Sequence, residues 1–236
     1  MYIRTPRLEI FPHRIEANAR SIIKRCHEHG AQVACVTKVM SAHPAVVHAL
    51  EVGGADMIAD SRILNLQSIS DIGMSLPLML LRIPAPSQAA DVVRCSDYSL
   101  NSSIETMELL SEAAEFLNVQ HKAIIMIDVG DLREGVWPDR AVEVVRGAAK
   151  LPNLEIVGLG CNLACYGGVI PTAENMQMLV DIRDECRKAT GLELNLLSGG
   201  NSSSLPLLLS GGMPKEINHF RIGESITLGR NVLDRT

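Results

Sequence analysis

Long apolar runs are missing from this sequence. The longest, around residues 76–81, has the size of one β-strand and is far shorter than the ~18 residues that cross a bilayer. The first residues, Met1-Tyr2-Ile3-Arg4-Thr5-Pro6, contain no apolar segment of the kind that a secretory signal has. We therefore expect a cytoplasmic protein that has no membrane partner.

An excess of positive charge and a complete set of metal ligands are missing as well. The net charge is −5 and no long basic run appears, which argues against a nucleic-acid partner. Cys161 and Cys165 are four residues apart, but no second pair or histidine completes a zinc set, so we expect no metal site. Several of the six cysteines fall in apolar runs, as reduced core residues of a cytosolic protein do.

What the sequence does have is a regular alternation of predicted strands and helices along 236 residues, the usual length of one α/β barrel. The predicted strands are Val33–Lys38, Asp56–Asp60, Leu76–Arg82, Asp97–Asn101, Ala123–Val129, Ile156–Asn162, Leu192–Ser198 and His219–Glu224. The clearest predicted helices, three of them shortly preceded by a proline, are Ala45–Glu51, Ser103–Leu117, Asp139–Ala149 and Ala173–Thr190.

This alternation predicts one α/β domain over residues 1–236. Eight strand–helix units in a chain of this length favour a closed (β/α)₈ barrel of the TIM type, and an open doubly wound sheet is the alternative. The strands are apolar almost throughout, as parallel strands covered on both faces should be. The segment Leu8-Glu9-Ile10 precedes the barrel as an extra strand or a lead-in.

Polar residues follow the predicted strands, and the carboxyl ends of barrel strands are where the chemistry of this fold collects. Lys38 follows the apolar Val33–Val36 and Thr37. A low-dielectric surrounding would favour its neutral, nucleophilic amine, which Schiff-base chemistry needs. The alternative is a lysine that only extends from the strand end into water.

A second polar stretch, Ser198–Ser204, is rich in glycine and serine and follows the seventh strand. Glycines let backbone N–H groups approach an anion, and the loops after strands seven and eight are the usual phosphate site of the fold. Arg221-Ile222-Gly223 on the next strand favours this interpretation over a flexible turn. Taken singly, Asp128 with Arg133, Asn162 and His43 are better explained as structural residues.

Together these residues resemble the fold-type III pyridoxal-phosphate enzymes, the alanine racemase group, and within it the alanine/ornithine racemase-like family. The matching segments occur in the family's order along nearly the whole chain. They are Thr37-Lys38, Ile58–Arg62, Ser99–Ser102, Asp128–Gly135, Ser198–Ser204 and Arg221–Gly229. Six ordered matches are a specific signal, although each alone is weak.

The resemblance implies pyridoxal 5'-phosphate as the cofactor, an amino acid as the substrate and a homodimer. Lys38 matches the lysine that holds the cofactor, and Arg133 matches an arginine near its phenolic oxygen and the substrate carboxylate. Arg221 matches the arginine at the pyridine nitrogen. The remaining cofactor-binding candidates are Asn162 beside the ring and, around the phosphate, Asn201, Ser202, Ser203, Gly223 and Glu224.

Two departures from the family pattern affect the expected activity. The segment Val39–His43 lacks the tyrosine that alanine-type relatives carry after the lysine. The chain also stops at Thr236, whereas family racemases continue into a β-rich C-terminal domain that supplies a second base, a tyrosine, across a dimer interface. We therefore expect this chain alone to racemise poorly, with Tyr166 and His43 as the nearby titratable candidates for a second base.

The resemblance thus predicts the barrel domain of a pyridoxal-phosphate-dependent amino-acid racemase, which interconverts L- and D-amino acids by proton transfer at Cα. The alternative is a non-catalytic barrel that binds and handles the cofactor. A barrel for another phosphorylated ligand would leave Lys38 unexplained. Ornithine, alanine and a broad range of amino acids all remain open as substrates.

Overall fold

The structure is a computed structural model that describes residues 8–164 and 168–236. Its strands are parallel and form a closed barrel in the order β1 to β8, with β8 pairing back onto β1. The strands are β1 Gln32–Val36, β2 Met57–Asp60, β3 Leu78–Leu80, β4 Tyr98–Asn101, β5 His121–Met126, β6 Leu154–Gly160, β7 Leu196–Ser198 and β8 His219–Ile222. The predicted (β/α)₈ barrel is confirmed, and the open sheet is wrong.

Helices cover the outside of this barrel. They are α1 Pro12–His29, α2 Pro44–Val52, α3 Ile63–Asp71, α4 Ala89–Cys95, α5 Ile104–Phe116, α6 Ala141–Ala148, α7 Ala173–Thr190, α8 Leu205–Leu209 and α9 Glu224–Leu228. Residues 8–11 form no strand and lead into α1, whose first turn contains Pro12. None of the helices in the described ranges is long and apolar enough to cross a membrane.

Two buried clusters follow from the alternation of side chains along the strands. The barrel interior contains Ala34, Val36, Met57, Ala59, Met79, Leu100, Ile124 and Met126. The larger cluster lies between the strands and the helices, and it includes Phe220 and Ile222 of β8. Since neighbours in a strand point to opposite faces, His219 and Arg221 point into the barrel.

The cysteines that the structure describes, Cys26, Cys35, Cys95, Cys161 and Cys186, are buried and unpaired. Burial raises the pKa of the Cys161 thiol to about 12, with the charge of Arg221 opposing the shift. Cys165 lies outside the described residues. Within the described ranges, no group of three His, Cys, Asp or Glu side chains has an arrangement that could hold a metal ion.

Candidate functional site

A cavity of about 580 Å³ opens at the carboxyl end of the barrel. Its walls come from the segments that follow the strands. They include Val36, Lys38, Ser61, Leu81, Arg82, Leu100, Arg133, Glu134, Asn162, Ala164, Asn201, Ser202, Arg221, Gly223, Glu224 and Val232. Among the predicted site residues, all but Ser203 are in this set of described lining residues. The structure therefore brings together side chains that are up to 186 positions apart in the sequence.

The charge of this lining is predominantly positive. Four basic side chains, Lys38, Arg82, Arg133 and Arg221, face two acidic ones, Glu134 and Glu224. A cleft with one dominant sign of charge attracts ligands of the opposite sign. The described lining thus suits a small molecule that carries phosphate or carboxylate groups.

Lys38 comes two residues after the end of β1 and is the first residue of a short 3₁₀ helix, Lys38–Met40. Its side chain lines the cavity but is exposed. The desolvation that its position after an apolar strand predicts is therefore not provided by the residues that the structure describes. The cavity is open at this edge, which leaves the lysine accessible to a ligand and to water.

The residue before Lys38 is fixed by a buried carboxylate at the end of β2. Asp60 accepts hydrogen bonds from the Thr37 hydroxyl at 2.7 Å, the Arg62 backbone N–H at 2.9 Å and the Asn65 amide at 3.0 Å. Thr37 and Asp60 are both fully buried. Asp60 thereby joins the end of β1 to the start of α3, and it determines where Lys38 leaves the barrel.

Arg221 forms part of the cavity floor with its guanidinium held from two sides. One terminal nitrogen donates to the Ser198 hydroxyl, and the other donates to the Cys161 carbonyl at 2.7 Å. Burial lowers the pKa of Arg221 below its ordinary value, with Glu134 acting in the opposite direction. An arginine fixed in this way presents its remaining N–H to the cavity without needing to reorganise.

The loops after β6 and β7 are linked by amide hydrogen bonds. The Asn201 side chain donates to Asn162 at 2.9 Å and to the Leu163 carbonyl at 2.8 Å, and it accepts from the Ser203 backbone at 2.8 Å. The Ser203 hydroxyl also donates to Leu163, at 3.0 Å. Ser203 therefore stabilises this loop pair, while Asn162 and Asn201 reach the cavity.

The predicted phosphate segment combines the short 3₁₀ helix Ser202–Ser204 with the start of α9. The Ser202 hydroxyl accepts from the Ser225 backbone at 3.2 Å, which links the two. A Cβ at Gly223 would lie 2.9 Å from the Val36 Cβ and 3.2 Å from its carbonyl oxygen. Glycine is thus required here by the close approach of β1, and not only by a ligand as the sequence suggests.

The Asp128–Gly135 segment folds back on itself at the cavity edge. The Asp128 carboxylate accepts from the backbone of Gly130 at 2.9 Å and of Leu132 at 3.2 Å. Gly135 has φ +128°, and a Cβ there would lie 2.5 Å from the Asp128 nitrogen. This tight loop carries Arg133 and Glu134 to the cavity.

Several lining residues are absent from the set that the sequence predicts, notably Arg82 and Glu134. Arg82 follows β3 as Lys38 follows β1, so position alone could have indicated it. His43 caps α2, where its ring accepts from the Ala45 backbone at 3.3 Å, and this confirms its structural interpretation. It is not among the described residues that line the cavity, and Tyr166 lies outside the described ranges.

Comparison of the sequence with protein families finds one matching family model, the alanine racemase N-terminal domain, over residues 10–231. The ornithine racemase of Acetoanaerobium sticklandii is 43% identical over 95% of this chain. The lysine racemase of Thermotoga maritima is 39% identical over 96% of it. The chain spans 64% and 63% of the length of these two relatives.

Solved structures share the fold at low sequence identity. A protein of unknown function from Bifidobacterium adolescentis superposes with a TM-score of 0.78 at 16% identity, covering 91% of this chain and 95% of that one. An alanine racemase from Corynebacterium glutamicum gives a TM-score of 0.75 at 22% identity, covering 92% of this chain and 60% of that one. At these identities the likeness concerns the barrel alone.

Proposed function

The chain belongs to the family of the alanine racemase N-terminal domain, and we propose that it binds pyridoxal phosphate through Lys38 as the barrel part of an amino-acid racemase. The observation that carries the proposal is the identity of 43% and 39%, over nearly the whole chain, with relatives named for ornithine and lysine. Both of these amino acids have a side-chain amine. We therefore propose a basic amino acid as the substrate and, following the family pattern, a homodimer.

The residues of the cavity fit this cofactor. Its volume of about 580 Å³ lies in the range of small-molecule sites. The excess of two positive charges in the described lining matches a phosphate dianion. Ser202 supplies a hydroxyl to the same part of the lining as Gly223, the residue that packs closely against Val36 of β1. Arg221 is anchored by Ser198 and Cys161 and can direct an N–H at a ring nitrogen.

When bound, pyridoxal phosphate supplies an aldehyde that joins to amines and a ring that draws negative charge away from Cα of the amino acid. Lys38 is an accessible primary amine in the described lining of the cavity. The hydrogen bond between Thr37 and Asp60 fixes the residue that precedes it. Lys38 would hold the cofactor and would carry the Cα proton of the substrate on its own face. Arg133 and Arg82 would bind the substrate carboxylate by charge-assisted hydrogen bonds.

Arg221 would determine whether the ring nitrogen of the cofactor is protonated. A permanent guanidinium next to the ring nitrogen opposes its protonation, since a second cation close by is disfavoured. Ser202 and the backbone of Gly223 and Glu224 would hold the phosphate, while Asn162 and Asn201 keep the loop after β7 in place beside the ring.

The direct test is borohydride trapping of the cofactor on Lys38. Purified protein with added pyridoxal phosphate should develop a visible absorption band, and reduction should fix the cofactor to the peptide that contains Lys38. Lys38→Ala should lose both signals, because the cavity lining contains no other lysine among the described residues. The control Lys150→Ala, an exposed lysine after α6, should keep both. A trapped adduct that survives in Lys38→Ala would refute the assignment.

A further inference from the structure

A chain of hydrogen bonds continues from Arg221 down into the barrel interior. Arg221 donates to the Ser198 hydroxyl, and that hydroxyl lies 2.8 Å from Nδ1 of His219. His219 and Ser198 are fully buried. The apolar side chains of the barrel interior are aliphatic residues and methionine, with the partly buried Tyr98 packed against them. The other ring nitrogen of His219, Nε2, has no hydrogen-bond partner among residues 8–164 and 168–236.

A buried histidine in which one ring nitrogen lacks a hydrogen-bond partner costs folding free energy, so the presence of His219 beneath Arg221 calls for an explanation. We propose that His219 is a positioning residue for Arg221. It acts through Ser198 and is held as the neutral tautomer that has its proton on Nε2. This inference rests on the proposed function, in which Arg221 meets the cofactor ring.

The direction of each bond follows from the donors available. A guanidinium has donors only, so the Ser198 oxygen accepts from Arg221. The single hydroxyl proton of Ser198 is then directed to Nδ1 of His219, which must be unprotonated. In the opposite tautomer both the hydroxyl proton and the Nε2 lone pair would lack partners. Arg221 therefore sets the donor–acceptor direction of both hydrogen bonds. His219 in return holds the Ser198 oxygen that accepts from Arg221.

The surroundings also keep the imidazole neutral. Burial first, and the nearby charge of Arg221 second, lower the pKa of His219 to about 3. A protonated ring would place a second cation next to Arg221 in a medium of low dielectric constant.

The chain contains a matched control for this pair. His121 on β5 is also a fully buried histidine bonded to a serine, with Nε2 at 2.8 Å from the Ser99 hydroxyl. Ser99 faces the helices because its neighbour Leu100 points into the barrel, and His121 does so because it alternates with the inward-pointing Ile124 and Met126 of β5. Loss of His121 removes the same chemistry without any connection to Arg221.

The first measurement is made without cofactor, on protein carrying ¹⁵N-labelled histidine. At pH 7 the resonances of His219, identified by their loss in His219→Asn, should show a protonated Nε2 and a bare Nδ1. A proton on Nδ1, or on both nitrogens, would overturn the proposal. This result does not depend on whether the chain binds pyridoxal phosphate, so it separates this inference from the proposed function.

The second measurement is the dissociation constant of pyridoxal phosphate, with melting temperatures to verify folding. His219→Leu removes the acceptor and should weaken binding by about tenfold, as the loss of one hydrogen bond in a charged chain does. His219→Asn keeps an acceptor at the position of Nδ1 and should stay within about threefold of the unchanged protein. His121→Leu should not change binding.

A double variant tests that His219 acts through Ser198. If it does, Ser198→Ala with His219→Leu should bind the cofactor no worse than Ser198→Ala alone. Additive losses, equal losses for His219→Leu and His121→Leu, or full binding by a folded His219→Leu would each overturn the proposal. A wild-type chain that binds no pyridoxal phosphate would instead refute the proposed function.

Discussion

Asp60 is a buried carboxylate at the end of β2 that fixes the residue before Lys38, at the end of the neighbouring strand β1. Its three hydrogen bonds hold Thr37, the start of α3 and Asn65 together. Asp60→Ala should lower the free energy of unfolding by about 2–4 kcal/mol, because bonds to a charged acceptor are lost and the Arg62 N–H is left unpaired. Urea unfolding measures this loss.

The same change should weaken cofactor binding, since the residue before Lys38 loses its anchor. Asp71→Ala, at an exposed position in α3, is the control and should stay within about 0.5 kcal/mol of the unchanged protein. If Asp60→Ala were as stable as Asp71→Ala, the network would contribute little to placing Lys38.

His121 makes the stability of the fold depend on pH in a defined direction. Burial lowers the pKa of His121 from 6.5 to about 4. Between these values the unfolded chain binds a proton that the folded chain refuses, so the contribution to stability is present above pH 6.5 and is lost as the pH falls towards 4. At pH 5 this loss amounts to about 2 kcal/mol.

The corresponding measurement compares urea unfolding of wild type and His121→Leu at pH 8 and pH 5. The stability advantage of wild type over the variant should shrink by about 2 kcal/mol at the lower pH. Other titrating groups, His219 included, occur in both proteins and cancel. An advantage that is equal at the two pH values would show that His121 titrates normally in the fold.

At the scale of elements, the contact between β8 and β1 depends on Gly223. A Cβ at this position would lie 2.9 Å from the Val36 Cβ, a separation that requires the two strand ends to move apart. Gly223→Ala should therefore cost about 1–3 kcal/mol of stability. It should also disturb the cavity wall that Val36 and Gly223 share.

Gly147 in α6 is the matched control for this substitution. Its Cβ would meet only the flexible end of Ile104, at 3.3 Å. Gly147→Ala should be neutral, or stabilising by up to about 1 kcal/mol, because alanine favours a helix. The urea midpoint of Gly223→Ala should lie below that of the unchanged protein, and the midpoint of Gly147→Ala should equal or exceed it. Equal midpoints would mean that the strands accommodate the added methyl group.

The sequence predicted the elements well where hydrophobic periodicity is strong. Helix α7 was predicted with its observed bounds, Ala173–Thr190, and each predicted strand overlaps an observed one. The strand ends were predicted less well. The predicted Leu192–Ser198 shortens to Leu196–Ser198, because periodicity cannot show where an apolar segment leaves the ladder of hydrogen bonds. Helix α1 is not among the clearest predicted helices. Pro12 in its first turn is a signal for a helix start, but the segment is polar and its hydrophobic periodicity is therefore weak.

The candidate site could be predicted as a set of residues but not as a geometry. Position after a strand identified Lys38, and the family resemblance identified Arg221 on the eighth strand; both residues do line one cavity. The roles of Ser198 and His219 could not be predicted, since their bond depends on the register of β7 against β8, where Ser198 pairs with His219. Likewise, the sequence gives no sign that Ser203 binds the Leu163 carbonyl 40 residues away instead of lining the cavity.

At the scale of the whole molecule, the proposed function depends on which proton-transfer groups the described cavity lining contains. Lys38 is an accessible amine, and the described lining contains no tyrosine, histidine or cysteine. Its carboxylates are Glu134, which lies close enough to Arg221 to act on the pKa of that arginine, and Glu224, which lies at the proposed phosphate end. Inversion at Cα needs a proton acceptor on one face and a proton donor on the other, whereas exchange of the Cα proton with solvent needs one group on one face. The 236-residue chain should therefore exchange faster than it inverts.

This expectation can be measured on the cofactor-loaded chain in D₂O, with ornithine, lysine and alanine as substrates. Deuterium should enter Cα of ornithine and lysine in preference to alanine, and inversion should be slower than exchange by on the order of 10²-fold, the usual contribution of one general acid or base. Lys38→Ala should abolish both. Inversion as fast as exchange would mean that a second base lies within the chain, and Tyr166 would be the first residue to change. Cofactor binding without any exchange would favour the non-catalytic barrel, because an enzyme with a working Lys38 must move that proton.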